Sequence, residues 1–334
     1  MKILHSWALA VWAAGTAIIS PSDAAEAKRI LVVDTQNTEP YKTITDSMLR
    51  YLAESGTMEV QNVEVSHTSL AQYESSAENI WKVYYRPNLA VVYVAGTLAA
   101  RAFMPIMRRE PQIKFVFASV TDPVGVGLID GFRPQNGNVT GVAFPVPVKE
   151  RLRFLRKIMP HARTIGLVDS DLPQAVSYRN WLEQILKEDP EFKDLRLIAR
   201  SVPFIAGDNG TRRMAMTAEP LIRELDPQVD LFMAPNDQMG INPEYARVVS
   251  KSATKPLLGV ITPDAREHWG AAMTMSPSLP TMGQQAGRMV QRLLAGEPIT
   301  KVPPEMPEIS IAFDWDLVAK FGLRVPPDLA AEAR

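Results

Sequence analysis

Short runs of apolar, mostly β-branched residues alternate along this chain with segments whose apolar positions recur at helical spacing. Residues 29–33 (Arg-Ile-Leu-Val-Val) read as a buried strand. Pro40 opens a helical pattern with Ile44, Met48 and Leu52 on one stripe. Residues 58–65 alternate as a second strand, and a polar helix follows to about Tyr85. A third strand covers 89–94, Gly96-Thr97 begins the next helix, and 113–117 is a fourth strand. This β-then-α order predicts parallel strands with right-handed crossovers.

The rhythm breaks between Asp122 and Val148, where four prolines and five glycines surround a short strand at 138–142. It then restarts. Val148, Leu152, Leu155 and Ile158 form a helix stripe, and 164–168, 195–199, 230–234 and 256–260 read as strands separated by helices. A second sheet of similar size is expected, with a lobe boundary near residue 142. Further on, 271–275 is a strand and 281–294 an amphipathic helix. Residues 298–307, with four prolines, form a crossing linker, 309–313 is a last strand, and Asp314 caps a short helix ending at Gly322.

The N-terminus changes where this chain is expected to work. Lys2 precedes an apolar stretch over 3–19, and Ser22 and Ala24 place small residues where a leader is cut after Ala24; cutting after Ala27 fits as well. The apolar run falls short of the ~20 residues that span a bilayer, so residues 1–24 read as a signal peptide for secretion to the periplasm. The chain has no cysteine, which excludes a lipoprotein anchor, thiol catalysis and thiolate metal sites. Its 334 residues carry a net charge of −1, so there is no basic surplus for nucleic acid.

Two blocks resemble a known family. Phe117-Ala118-Ser119-Val120-Thr121-Asp122-Pro123-Val124-Gly125 and Gly137-Asn138-Val139-Thr140-Gly141-Val142 look like the signature of ABC-transporter substrate-binding proteins of the tryptophan/tyrosine-binding-protein type. The tail is similar too, in Gly283-Gln284-Gln285-Ala286-Gly287-Arg288-Met289, in Leu293-Leu294-Ala295-Gly296-Glu297 and in Ala319 to Pro327. The resemblance covers about residues 29–330. It implies the α/β type I periplasmic binding protein fold, in which two doubly wound parallel-sheet lobes are joined by a hinge of three crossings. Lobe 1 would be 29–142 plus 278–305, and lobe 2 would be 143–277 plus 306–334.

In open α/β sheets ligands sit beyond the carboxyl ends of the strands. That rule nominates Gln36, Asn37 and Glu39 after the first strand, where Thr38 or Glu39 would alternatively cap the helix. Gly96 and Thr97 offer close backbone approach and a helix N-terminus for a carboxylate, as the family's small-polar anchor does. Asp122 is either an ammonium partner or a turn residue. In the second half Ser170, Tyr178, Asn236 and Asp237 follow strand ends, with Asp237 the leading partner for a ligand ammonium or else part of a helix-start turn. Tyr41, Tyr178 and Trp269 supply aromatic walls, Trp269 alternatively being core packing.

Enzyme signatures are missing: there is no Gly-x-Ser-x-Gly elbow, phosphate loop or His-Glu-x-x-His. His67, His161 and His268 are scattered, so neither a metal site nor a cofactor is expected. The expectation is a monomeric receptor that captures an amino acid or similar zwitterion, closes in the manner of a Venus flytrap and delivers it to an ABC permease. The alternative is a sensory binding protein that presents its closed state to a membrane kinase or cyclase.

Overall fold

The computed structural model describes residues 27–134, 136–207 and 209–333. The leader expected at 1–24 lies outside them. No helix among the described residues is long and apolar enough to cross a membrane.

Two sheets organise the chain. The first contains β1 (Lys28–Asp34), β2 (Val63–Ser69), β3 (Leu89–Ala95), β4 (Lys114–Val120) and β5 (Val139–Ala143), all parallel, in the order β2-β1-β3-β4-β5. The second contains β6 (Thr164–Ser170), β7 (Arg196–Val202), β8 (Leu231–Met233), β9 (Leu257–Gly259), β10 (Met273–Pro277) and β11 (Ile309–Phe313), in the order β11-β10-β9-β8-β6-β7. Helices cover both faces, which is why the strands read as continuous apolar runs rather than alternating ones. The strand period sends Ile30 and Val32 into one buried cluster and Leu31 and Val33 into another.

Two expectations are corrected. Residues 58–65 are not one strand: Thr57–Val60 is a short helix, Asn62 turns the chain at φ 47°, and β2 begins at Val63. Met58 supplies the apolar beat that mimics alternation, but it packs from a helix against the core. Nor are all the strands parallel, since β11 pairs antiparallel to β10. The reason is local. β11 starts where β10 ends, with Pro277 opposite Ile309 and the Ser278 amide donating to the Glu308 carbonyl at 2.8 Å, so it runs back along β10.

The chain passes between the sheets three times: after β5, after β10, and again before β11. After β10 it enters the helix Leu279–Leu294, which lies against the helix Tyr41–Glu54 of the first lobe. Gly283 permits that contact, because a Cβ there would sit 2.3 Å from the Ile44 carbonyl oxygen. The passes are tied together. The Ala143 amide donates to the Glu305 carbonyl (3.0 Å), the Glu305 amide to the Gly141 carbonyl (2.9 Å), and Gln285 Nε2 to the Glu305 carboxylate (2.8 Å).

Candidate functional site

The carboxyl ends of both sheets face each other across a small cavity of about 10 Å³. The first lobe lines it with Tyr41, Thr97, Ser119, Thr121 and the crossing residue Phe144. The second contributes Gln174, Asn236, Asp237, Gln238 and Ile241.

On the first lobe the anchor is the turn from β3 into the helix Thr97–Arg109. Gly96 adopts φ 97°, ψ 156°, a conformation that essentially only glycine tolerates. That geometry brings the chain under Thr35 and Tyr41: a Cβ on Gly96 would lie 2.4 Å from Thr35 Oγ1 and 2.6 Å from Tyr41 Cε1. The Thr35 hydroxyl donates to the Ala95 carbonyl (2.9 Å) and accepts the Ala99 amide (3.2 Å). The Thr97 hydroxyl accepts the Thr121 amide (3.2 Å). Ser119 reaches the cavity from a break in the β4–β5 register, at φ 59°. A non-glycine residue in that region costs conformational energy that the surrounding packing must offset.

On the second lobe Asp237 organises the loop after β8. One carboxylate oxygen accepts the Ser170 amide (3.0 Å) and hydroxyl (2.6 Å), and the other accepts the Gly240 amide (2.7 Å). Burial pushes the Asp237 carboxyl above its usual range, and these donors oppose the rise. With the Met239 amide, which also donates toward it, these groups take up most of its roughly four lone-pair sites. Among the described residues, Asp237 is the one acidic or basic side chain other than the Tyr41 phenol that lines the cavity.

Side-chain amides fill the centre. Gln174 contacts Gln238, Gln72 contacts Gln36, and Gln238 Nε2 donates to the Tyr41 hydroxyl across the lobes at 3.2 Å. Burial drives the Tyr41 phenol well above its ordinary value, so it stays neutral. Both amide atoms of Asn236, Gln174 Oε1, Gln72 Oε1 and Gln36 Nε2 are buried without a partner. Of these residues Asn236 and Gln174 line the cavity, where their free amide atoms are available for hydrogen bonds. Beside it, Leu98 of the first lobe packs with Leu172, Ala175 and Phe204 of the second.

Of the residues nominated from sequence, Tyr41, Thr97, Asn236 and Asp237 meet at this cavity, with Gly96 beneath it. Gln36 is buried against Gln72, Asn37 is exposed, and Ser170 supports Asp237 rather than facing the cavity. Asp122 accepts the Gly125 amide at 2.7 Å, the turn role. Glu39 and Trp269 line a different cavity. Tyr178 sits beneath the site, where its hydroxyl accepts from Arg151 at 2.7 Å. Ser119, Thr121, Phe144, Gln174, Gln238 and Ile241 were not nominated as site residues; they come from four separate segments, and only Ser119 and Thr121 share a motif, the block 117–125. Gln174 also gave a signal, as a polar residue in the first turn of the helix Pro173–Glu188 after β6.

The described lining consists of hydroxyls, side-chain amides, one carboxyl group and apolar side chains, groups that can form hydrogen bonds and, for the apolar ones, pack against a ligand. The one group of side chains spaced to hold a metal ion among the described residues is His268, Asp314 and Asp316. It is engaged otherwise: Asp314 caps the helix Trp315–Lys320 through the Asp316 and Leu317 amides (both 3.1 Å) and contacts His268 Nδ1 at 2.7 Å.

Arg151 is buried under the second lobe's wall, donating to Tyr178 and to the Gly259 carbonyl, both at 2.7 Å. Nearby Asp264 accepts the Val260 (2.8 Å) and Ile261 (3.2 Å) amides, yet burial raises its carboxyl to about 7. A carboxyl whose value is higher folded than unfolded binds more protons in the folded state, so stability falls as pH rises from about 4 to 7. One such group contributes at most about 1.4 kcal/mol per pH unit. Asp264→Asn is expected to flatten that slope in urea unfolding measured across this range, and to gain on wild type as pH rises. Asp169, raised by burial to about 6, leaves a residual slope. An unchanged slope would contradict the assignment to Asp264.

A family model described as "ABC transporter substrate binding protein" matches residues 39–314. Among characterised proteins the chain is similar to a tyrosine-binding protein of Clostridioides difficile, 18% identical over 258 residues, which are 76% of this chain and 69% of that one. Among solved structures it is similar to a conserved domain protein of Vibrio cholerae (TM-score 0.76, 18% identity, covering 92% of this chain and 99% of that one). It is also similar to a Streptococcus pneumonia ABC domain in complex with L-Trp (TM-score 0.75, 19% identity, 92% and 98%). A third is the ligand-free, open structure of a substrate-binding protein with adhesive properties from Clostridium difficile (TM-score 0.69, 17% identity, 90% and 97%).

Proposed function

From the premise that this chain belongs to the ABC transporter substrate-binding protein family, we propose that it is the periplasmic solute receptor of an uptake system and captures an amino acid between its lobes. One observation carries the reading. A helix N-terminus from one lobe and a buried carboxylate from the other face a single cavity whose walls hold unpartnered amides. An amino acid presents the complementary pair of charges.

Gly96 and Thr97 hold the ligand carboxylate, where the first helical amides and the helix dipole favour an anion. The Asp237 carboxylate supplies the negative charge that faces the ammonium. Tyr41 and Phe144 bound the ligand side chain, while Asn236, Gln174 and Gln238 supply hydrogen bonds. The names of the relatives, one tyrosine-binding and one solved with L-Trp, support an amino acid and make the aromatic ones the first to test.

A cavity of about 10 Å³ holds roughly one water, so a ligand enters only when the lobes separate and the glutamines swing aside. Contacts to both lobes then favour the closed state by differential affinity. The open form of the Clostridium difficile relative supports such a cycle. In this reading residues 29–142 with 278–305 and residues 143–277 with 306–334 move as lobes. The leader is removed, no lipid is attached, and the monomeric closed form docks on an inner-membrane permease. The test is thermal unfolding of the mature chain against the twenty amino acids. A ligand at about 100 times its Kd raises the midpoint by several degrees. No shift with any amino acid removes the assignment.

A further inference from the structure

A second, larger cavity of about 450 Å³ lies at the second crossing and shares no residue with the one above. Both lobes and the crossing build it: Glu39 and Thr43 from the first, the 261–269 segment from the second, and Ser278 to Pro280 between them. Its volume falls within the range of small-molecule sites, whereas the first cavity does not.

The lining combines an apolar body with an excess of negative over positive side chains. The indole of Trp269, with Ile261, Leu279 and Pro280, forms the apolar part. Glu39 and Glu267 bring two carboxylates, and neither is in an ion pair among the described residues. Glu39 Oε2 accepts only the Thr43 amide, at 3.3 Å. The one cation in the lining, Arg266, donates to the Ala333 carbonyl at 3.2 Å. The lining therefore sums to one negative charge. The Arg247 guanidinium lies 6.0 Å from the Trp269 ring centre, at the edge of cation–π range. An indole face and nearby carboxylates together form the chemistry that recognises an organic ammonium.

We infer that this hinge cavity is a second binding site, separate from the amino-acid site, for a small organic cation with an apolar body, such as an arylalkylamine. The apolar body packs on Trp269 and Leu279, and the ammonium lies between Glu39 and Glu267.

The test is thermal unfolding with 2-phenylethylamine, alongside neutral 2-phenylethanol and anionic 3-phenylpropionate, on wild type, Glu267→Gln and Trp269→Leu. The inference expects a saturable rise with the amine alone, reduced in Glu267→Gln and absent in Trp269→Leu. Both variants keep a cooperative transition and the wild-type response to amino acids. It is overturned if the amine gives no saturable shift, if the alcohol or carboxylate shifts as much, or if both variants respond as wild type does. A response lost in Asp237→Ala but kept in Trp269→Leu also overturns it, because the amine would then occupy the amino-acid site. Failure of the amino-acid panel alone leaves it standing.

Discussion

Gly96→Ala is expected to abolish amino-acid binding and to lower stability together. The added methyl must adopt φ 97°, ψ 156°, which costs about 1–3 kcal/mol for a residue with a Cβ. It also enters space already held by Thr35 Oγ1 and the Tyr41 ring, at 2.4 and 2.6 Å. Overpacking of that kind costs a further ~1–3 kcal/mol. Relief comes only by moving Thr35 off the helix amides or Tyr41 out of the cavity, and either shift damages the carboxylate anchor. Urea unfolding should show a loss of roughly 2–6 kcal/mol, with no binding heat in calorimetry. Wild-type affinity in this variant would mean that the β3–helix turn does not touch the ligand.

Asp237→Ala carries the second large effect. It leaves the Ser170 amide, the Ser170 hydroxyl and the Gly240 amide buried without their acceptor. Each orphaned donor costs about 1–3 kcal/mol, and because they share one loop the losses are not additive. Removing the partner of a buried ligand charge costs about 2–5 kcal/mol of binding, so affinity should fall at least about 30-fold. Asp237→Asn separates the two roles. It keeps one oxygen for the loop but turns an NH2 toward donors, so it should retain more stability than the alanine variant while still losing the ammonium contact. If Asp237→Asn binds as wild type does, Asp237 is a loop organiser and nothing more.

The frame was legible because burial on both faces writes itself into local sequence. Residues 29–33 and 89–94 could be read as strands since no polar residue interrupts them, and Asp314 could be read as a cap from its place before a short helix. Apolar rhythm does not encode direction, so β11 was expected to follow the parallel pattern until its starting point beside Pro277 settled it. It also cannot separate a helical Met58 from a strand position.

The site was half legible. Gly96-Thr97 and Asn236-Asp237 stand directly after strand ends, where the topology rule looks. Gln174 and Gln238 acquire meaning only when two lobes are brought together, as does Phe144 on the crossing. Glu39 follows the carboxyl end of β1 and Trp269 precedes the start of β10, and both line a separate cavity at the second crossing. Proximity to a strand end restricts a residue to the cleft side of its lobe, and the path of the hinge decides which cavity it joins.

The central claim is that an amino acid is held by both lobes at once. Small-angle X-ray scattering of the mature chain, titrated with the amino acid that most raises its unfolding midpoint, tests it most directly. The account predicts that the radius of gyration falls as ligand is added and saturates over the same concentrations as binding. A radius of gyration unchanged at saturation would contradict it.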